Sequence, residues 1–240
     1  MHITQAQGRT LTLAQAVWPK TGILSNAALV IGFAALTAVF AQISIRIPTT
    51  TVPITGQTFA VLTTGAALGS RRGALSMFVY MLMGMFLFPA FAPPSSVLAK
   101  ETIHFVLPWA GTKAFVWDLS SGGYLVGFIL ASYLVGRLAE YGHDRRAQVS
   151  AAMVLGNIAL YLPGLAWLAF FIASDKTIPG LNLTYYDAIE GANVLDKTLR
   201  GGLYPFIAGD AVKLLLASMM LPGAWQVVRS LRSGAVDERP

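Results

Sequence analysis

Apolar residues in this chain come in long, nearly unbroken blocks. They do not alternate as in a half-buried strand, nor form the one-sided stripe of a soluble helix. Six blocks approach or reach the ~20 residues a helix needs to cross a bilayer, within a range of roughly 17–25. They cover residues 23–45, 52–68, 73–90, 122–139, 150–173 and 204–225. The first is too long for the apolar centre of a secretory signal and shows no convincing cleavage site, so it reads as a retained span. The second, VPITGQTFAVLTTGAAL, is the shortest and most polar. Pro205 falls at the start of the sixth, where a helix tolerates proline because the missing N–H would be unpaired anyway. The predicted fold is all-α: an integral membrane bundle of six transmembrane helices over residues 23–225, with an N-terminal segment (1–22) and a C-terminal tail (226–240). No internal repeat is evident.

Composition agrees with a lipid environment. Hydrophobic residues make up 55% and charged residues 12%, against roughly 25% charged in a soluble domain. The net charge of +6 would suggest nucleic acid in a soluble protein, but its distribution removes that need. With both termini on one side, the connections there hold ten basic residues against four acidic ones, while the opposite connections hold six of each. The whole excess therefore lies on one face, as expected of cytoplasmic loops. Those basic clusters serve orientation and contact with lipid headgroups, in a cell-membrane protein with both termini cytoplasmic and no nucleic-acid partner. The outer segments, 91–121 and 174–203, are long. The apolar stretch IHFVLPWAGTKAFVW in the first reads either as part of a lid over a site or as a peripheral element resting on the headgroups.

The sixth block carries Asp210 and Lys213. On insertion scales each costs about 2.5–3.5 kcal/mol at mid-membrane. At 1.5 Å per residue they lie about 9 and 13 Å inside the helix start. Three residues apart, they share a face, and Gly209 beside them leaves room for a neighbour. Two readings are open: a self-neutralised pair that locks the helix into the bundle, or a site in which Lys213 meets a substrate carboxylate while Asp210 orients Lys213 or accepts substrate N–H groups. Thr55 and Gln57 begin the second span, and an amide suits a urea or amide group. Tyr80, Tyr124 and Trp167 offer flat walls or ordinary packing. Backbone groups around Gly123 add polar contacts. Asn157 is a ligand contact or interhelical glue. Arg137 ends the fourth span, where it can snorkel to the headgroups. In the first span Ala34 and Ala38 form a small-xxx-small pair, suited to close packing inside the bundle or against a partner helix.

Several chemistries lack their residues. With no Cys, disulfides and thiolate sites are excluded. The three His are scattered and form no metal set. No GxxxxGK[ST], HExxH or GxSxG is present. The chain is therefore expected not to be an enzyme and to bind no cofactor of its own. Energy for concentrating a solute would come from a partner or an ion gradient.

Three blocks in order carry a resemblance: VPITGQTFAVLTTGAALGSRRGALSMFVYMLMGMFLFPAFA, SGGYLVGFILASYLVGRLAE and YPFIAGDAVKLLLA. Together they resemble the BioY family, the biotin-binding S components of energy-coupling factor (ECF) transporters. The resemblance implies a six-helix bundle with a biotin site near the outer face under loop cover. It also implies coupling through a transmembrane T protein to a pair of cytoplasmic ATPases, which use the ATP. By position it carries biotin contacts onto Asp210, Lys213, Gln57 and Arg137, and T-protein docking onto Ala34 and Ala38. The chain departs from the family in PPSS after FA, in the longer insertion that follows, and in SSGG before the fourth span. A different class of reading keeps a stand-alone ion-coupled carrier, with Asp210 relaying a proton and Pro163 breaking the fifth span.

Overall fold

The structure is a computed structural model, and it describes residues 10–19, 22–93, 103–145 and 148–237, with side-chain surroundings as far as Leu231. The PPSS turn beyond Pro93 lies outside these residues. So do the charged positions Arg9, Lys20, Lys100, Glu101, Arg146, Glu238 and Arg239.

The chain is mostly helical. A short helix α1 (Leu13–Val17) precedes α2 (Ile23–Gln42), α3 (Gln57–Leu68), α4 (Ser70–Leu82), α5 (Gly122–Glu140), α6 (Gln148–Ala173), α7 (Tyr185–Ala188), α8 (Val194–Gly202) and α9 (Tyr204–Asp237). A π-helical turn, Met83–Leu87, prolongs α4. Four stretches are long and apolar enough to cross a membrane: Ile23–Gln42, Gly122–Glu140, Gln148–Ala173 and Val194–Leu231. This is the make-up of a multi-pass membrane protein.

Three departures from the sequence reading matter. First, the fold is not purely α. The first block stops being helical at Gln42, and β1 (Ser44–Ile45) pairs antiparallel with β2 (Ile54–Thr55) on one side and β3 (Ile103–His104) on the other. The stretch SIRIPTTTVPIT explains the switch. It is rich in β-branched residues, which favour extended backbone, and its two prolines cannot continue a helix. Second, α3 has only 12 residues, ten of them buried. It is an interior helix entered through extended chain. Third, α9 runs past Trp225 to Asp237.

Successive long helices run in opposite directions. At Gly69, φ is +84°, a value that disfavours any side chain, and the chain reverses there from α3 into α4 within one residue. Ser70 begins α4 by donating from its N–H and Oγ to Glu140 Oε1 at 2.8 and 2.7 Å, so the end of α5 meets the α3–α4 turn. Trp225 on α9 lies in the same region. Its Nε1 donates to Asp144 Oδ2 at 2.6 Å, Arg145 sits over its ring at 3.9 Å, and Ala16 of α1 packs against it. Helix α1 and the part of α9 around Trp225 thus share one end of the bundle, the far end. The sheet and the starts of α3, α5 and α9 lie at the other.

Glycines let α5 and α6 approach closely. A Cβ at Gly123 or Gly127 of α5 would run into α6 at Trp167, Pro163 O and Leu160 O, and one at Gly164 of α6 would strike the Tyr124 ring. α6 stays helical through Pro163.

Ala34 and Ala38 are a correction. Both are buried in the core on the side of α2 that faces α4, where Ser76 Oγ donates to Val30 O at 2.8 Å. They pack inside the chain, so they present nothing to a partner helix. The small residues of α2 left outside are Ala27, Ala28, Gly32 and Ala35.

Candidate ligand-binding site

A cavity of about 560 Å³ opens where α3, α5, α6 and α9 meet the two long loops. That volume lies in the range of small-molecule sites. Its helical wall includes Gln57, Tyr124, Phe128, Tyr161, Phe206 and Lys213; its loop wall includes Phe91, Thr112, Ser120, Ile178 and Tyr185. The loops are pinned over it. Phe91 and Thr112 exchange backbone hydrogen bonds at 3.1 Å, and Thr177 pairs with Thr184. Gln42, at the end of α2, donates to Phe91 O at 3.2 Å and accepts from Ala110 N–H at 3.2 Å. Both long segments therefore contribute to the site. Tyr185 is hydrogen-bonded to Ser120, and burial pushes its phenol upward, so it stays neutral.

Lys213 and Asp210 occupy the helical side. Lys213 Nζ donates to Asp210 Oδ1 at 2.9 Å, with side-chain exposures of 14% and 5%. The second carboxylate oxygen accepts from Tyr161 OH at 2.5 Å and Asn157 Nδ2 at 3.2 Å. Asp210 is thus a bonded counter-ion set behind the wall, whereas Lys213 lines the cavity. An ammonium has three donors, and Asp210 takes one. The pair joins α6 to α9 through Tyr161 and Asn157, and Lys213 lies on the cavity wall.

A second polar chain runs from α3. The Gln57 N–H donates to Thr55 Oγ1 at 3.3 Å, and that hydroxyl donates back to Gln57 Oε1 at 2.9 Å. Gln57 Nε2 donates to Tyr80 OH at 2.6 Å, and Tyr80 donates to Ala90 O at 3.2 Å. Because the chain ends on a backbone carbonyl, which can only accept, its direction is fixed. One Gln57 N–H is left over for the cavity.

The sequence-predicted residues divide accordingly. Thr55, Gln57, Tyr124 and Lys213 line the cavity; Asp210, Asn157 and Tyr80 stand behind it and hold the residues that do. Gly123 is pressed against α6 and does not line the cavity, so its role is helix packing. Arg137 is likewise a correction. It lies near the far end, bonded to Glu140 Oε2 at 3.4 Å with its guanidinium 5.4 Å from the Tyr141 ring centre. An arginine sixteen positions into a 19-residue helix that starts at the cavity cannot reach back to it. Tyr161 was missed in the sequence. Its spacing of four from Asn157 on one helix face was the available signal.

The arrangement defines a class: a membrane helix bundle with a loop-covered cavity, mostly apolar, with one oriented cation on its wall. The comparisons narrow the class. The BioY family model matches residues 14–230, and the chain belongs to the BioY family. It is 32% identical over 77% of its length to a probable biotin transporter BioY of Pyrococcus horikoshii, covering 86% of that protein. It is 29% identical to the biotin transporters BioY of Rhizobium etli and Thermotoga maritima, over 70% and 78% of this chain and 75% and 88% of theirs. Among solved structures it resembles the S-component for biotin from an ECF-type ABC transporter. The TM-score is 0.54 at 17% identity, with 88% of this chain and 92% of that one covered, a likeness of fold.

Proposed function

We propose that this protein is the biotin-binding subunit of an ECF-type uptake transporter of the cell membrane. Six traverses over residues 23–225 cross the bilayer, with segments 1–22 and 226–240 in the cytoplasm, as the one-sided positive charge requires. The cavity then faces outward. Biotin enters beneath the loops, and a transmembrane T protein with a pair of ATPases supplies the energy for delivery inward. This chain has no nucleotide motif of its own.

The observation that carries the reading is Lys213. It lines the cavity with two N–H donors left over among the described residues, and it is oriented by a carboxylate bonded on both oxygens. Lys213 holds an oxygen acceptor of biotin, the valerate carboxylate or the ureido carbonyl. The spare Gln57 N–H gives a second polar contact, and Tyr124, Phe128 and Phe206 enclose the ring and chain. The carrier alternative had Asp210 relaying a proton and Pro163 breaking a helix; α6 is continuous at Pro163.

The test is an equilibrium titration of the purified chain with biotin and with its methyl ester. Tight binding of biotin that is lost in Lys213→Ala is expected. If the ester binds as biotin does, Lys213 meets the ureido end; if the ester is weaker, it meets the carboxylate. Unchanged biotin affinity in Lys213→Ala would overturn the assignment.

A further inference from the structure

The loop segment 103–117 has a property that ligand binding does not use. It carries a single formal charge, Lys113, and it leaves its large apolar side chains in the open. Phe105 is 68% exposed and Trp117 55%, with Ile103 and Phe115 also exposed. A soluble loop of this make-up would hide such groups. The outward apolar surface is continuous with the end of α4. Phe86, itself 57% exposed, meets Phe115 edge-on at 5.8 Å, and Phe115 stacks on Trp117 at 4.7 Å with planes 6° apart. A second tie runs from Phe88 to Trp109 at 6.1 Å, and Trp109 Nε1 donates to Pro89 O at 2.7 Å. The apolar surface at the end of α4, one of the six proposed traverses, thus passes into the loop.

We propose that segment 103–117 is seated in the bilayer leaflet at the cavity end of the protein. Phe105, Phe115 and Trp117 enter the boundary between headgroups and acyl chains, and Lys113 meets lipid phosphates. Three features identify lipid as the occupant. The patch extends a lipid-facing helix end. It is built of Trp and Phe, and Trp in particular collects at membrane interfaces. Its one charge is a cation, complementary to phosphate. The same segment supplies Thr112 and Ala114 to the cavity wall, and Asp118 follows at once. The cavity therefore has one wall fastened to the membrane, and moving that wall drags an apolar surface through the interface.

The chain contains no Cys, so single-cysteine spin labels can be placed in the full-length protein reconstituted in phosphatidylcholine–phosphatidylglycerol vesicles. Labels at Phe105→Cys and Trp117→Cys are compared with Leu216→Cys, exposed on apolar α9, and Asp187→Cys, exposed on the short helix α7. The expected result is that the two loop labels collide with oxygen in preference to a water-soluble nickel chelate, as Leu216→Cys does. Their depth is expected within roughly 5–10 Å of the headgroup boundary. Loop labels that behave like Asp187→Cys overturn the proposal. So do labels shielded from both relaxants, which would show a second protein copy over the patch. The readout involves no ligand, so a failure of biotin binding would leave it intact.

Discussion

Breaking the Lys213–Asp210 pair from one side and from both sides separates its two roles. Lys213→Met keeps the aliphatic bulk but removes the cation, leaving Asp210 with Tyr161 and Asn157 as its donors among the described residues. An ion left unpaired at this depth costs about 3–5 kcal/mol, and α9 carries no other Lys or Arg before Arg229 to replace it. Asp210→Asn leaves Lys213 charged but deprives Tyr161 of its carboxylate. The double variant has no uncompensated charge, so most of the lost stability returns. Binding follows a different pattern. A hydrogen bond from a charged donor to the ligand contributes about 1.5–3 kcal/mol, or roughly 10- to 150-fold in Kd. That loss appears in Lys213→Met and persists in the double variant. The assay is a thermal-unfolding series in detergent alongside biotin titration of all four proteins. A double variant as unstable as the worse single variant would refute the ion-pair argument. One that binds biotin like the parent would refute the site.

Other outcomes follow from the same structure. Gly123→Ala forces a Cβ into Trp167 and the Pro163 carbonyl and is expected to cost about 1–3 kcal/mol by overpacking. Gly32→Ala, with nothing within 4 Å, is the control in the same melting experiment. Arg137→Ala, at the far end from the cavity, is expected to leave the biotin Kd unchanged in a titration. Burial raises the Asp144 carboxyl above the usual carboxylate range, against the pull of Trp225 and Arg145. A carboxyl raised on folding adds stability below its unfolded value and loses that contribution as pH climbs through the folded one. Asp144→Asn is therefore expected to flatten the fall in melting temperature across that acidic window.

Much of this protein is legible in one dimension because lipid imposes a one-dimensional requirement. A spanning helix must be apolar over its length, and an ion inside it must have a reason to be there. The blocks, the one-sided charge and the Asp210–Lys213 face follow from that rule alone. What the rule does not contain is where a helix stops for local reasons. Ser44–Ile45 and Ile54–Thr55, at the facing ends of the first two blocks, read as membrane helix by their apolar surroundings, yet they pair as a sheet. Nor does it say which side of a helix meets which neighbour. Ala34 and Ala38 have the spacing of a docking surface and are buried against α4. Arg137 sits in a family motif and is a helix length from the cavity.

The sequence by itself determined the solvent of each segment and the presence of a compensated ion pair, since both depend on residue type and on spacing along one helix. Only the tertiary structure decided which of the two ions faces the cavity. That choice depends on Tyr161 and Asn157, some fifty residues away, arriving from α6 to occupy Asp210 and leave Lys213 with donors to spare.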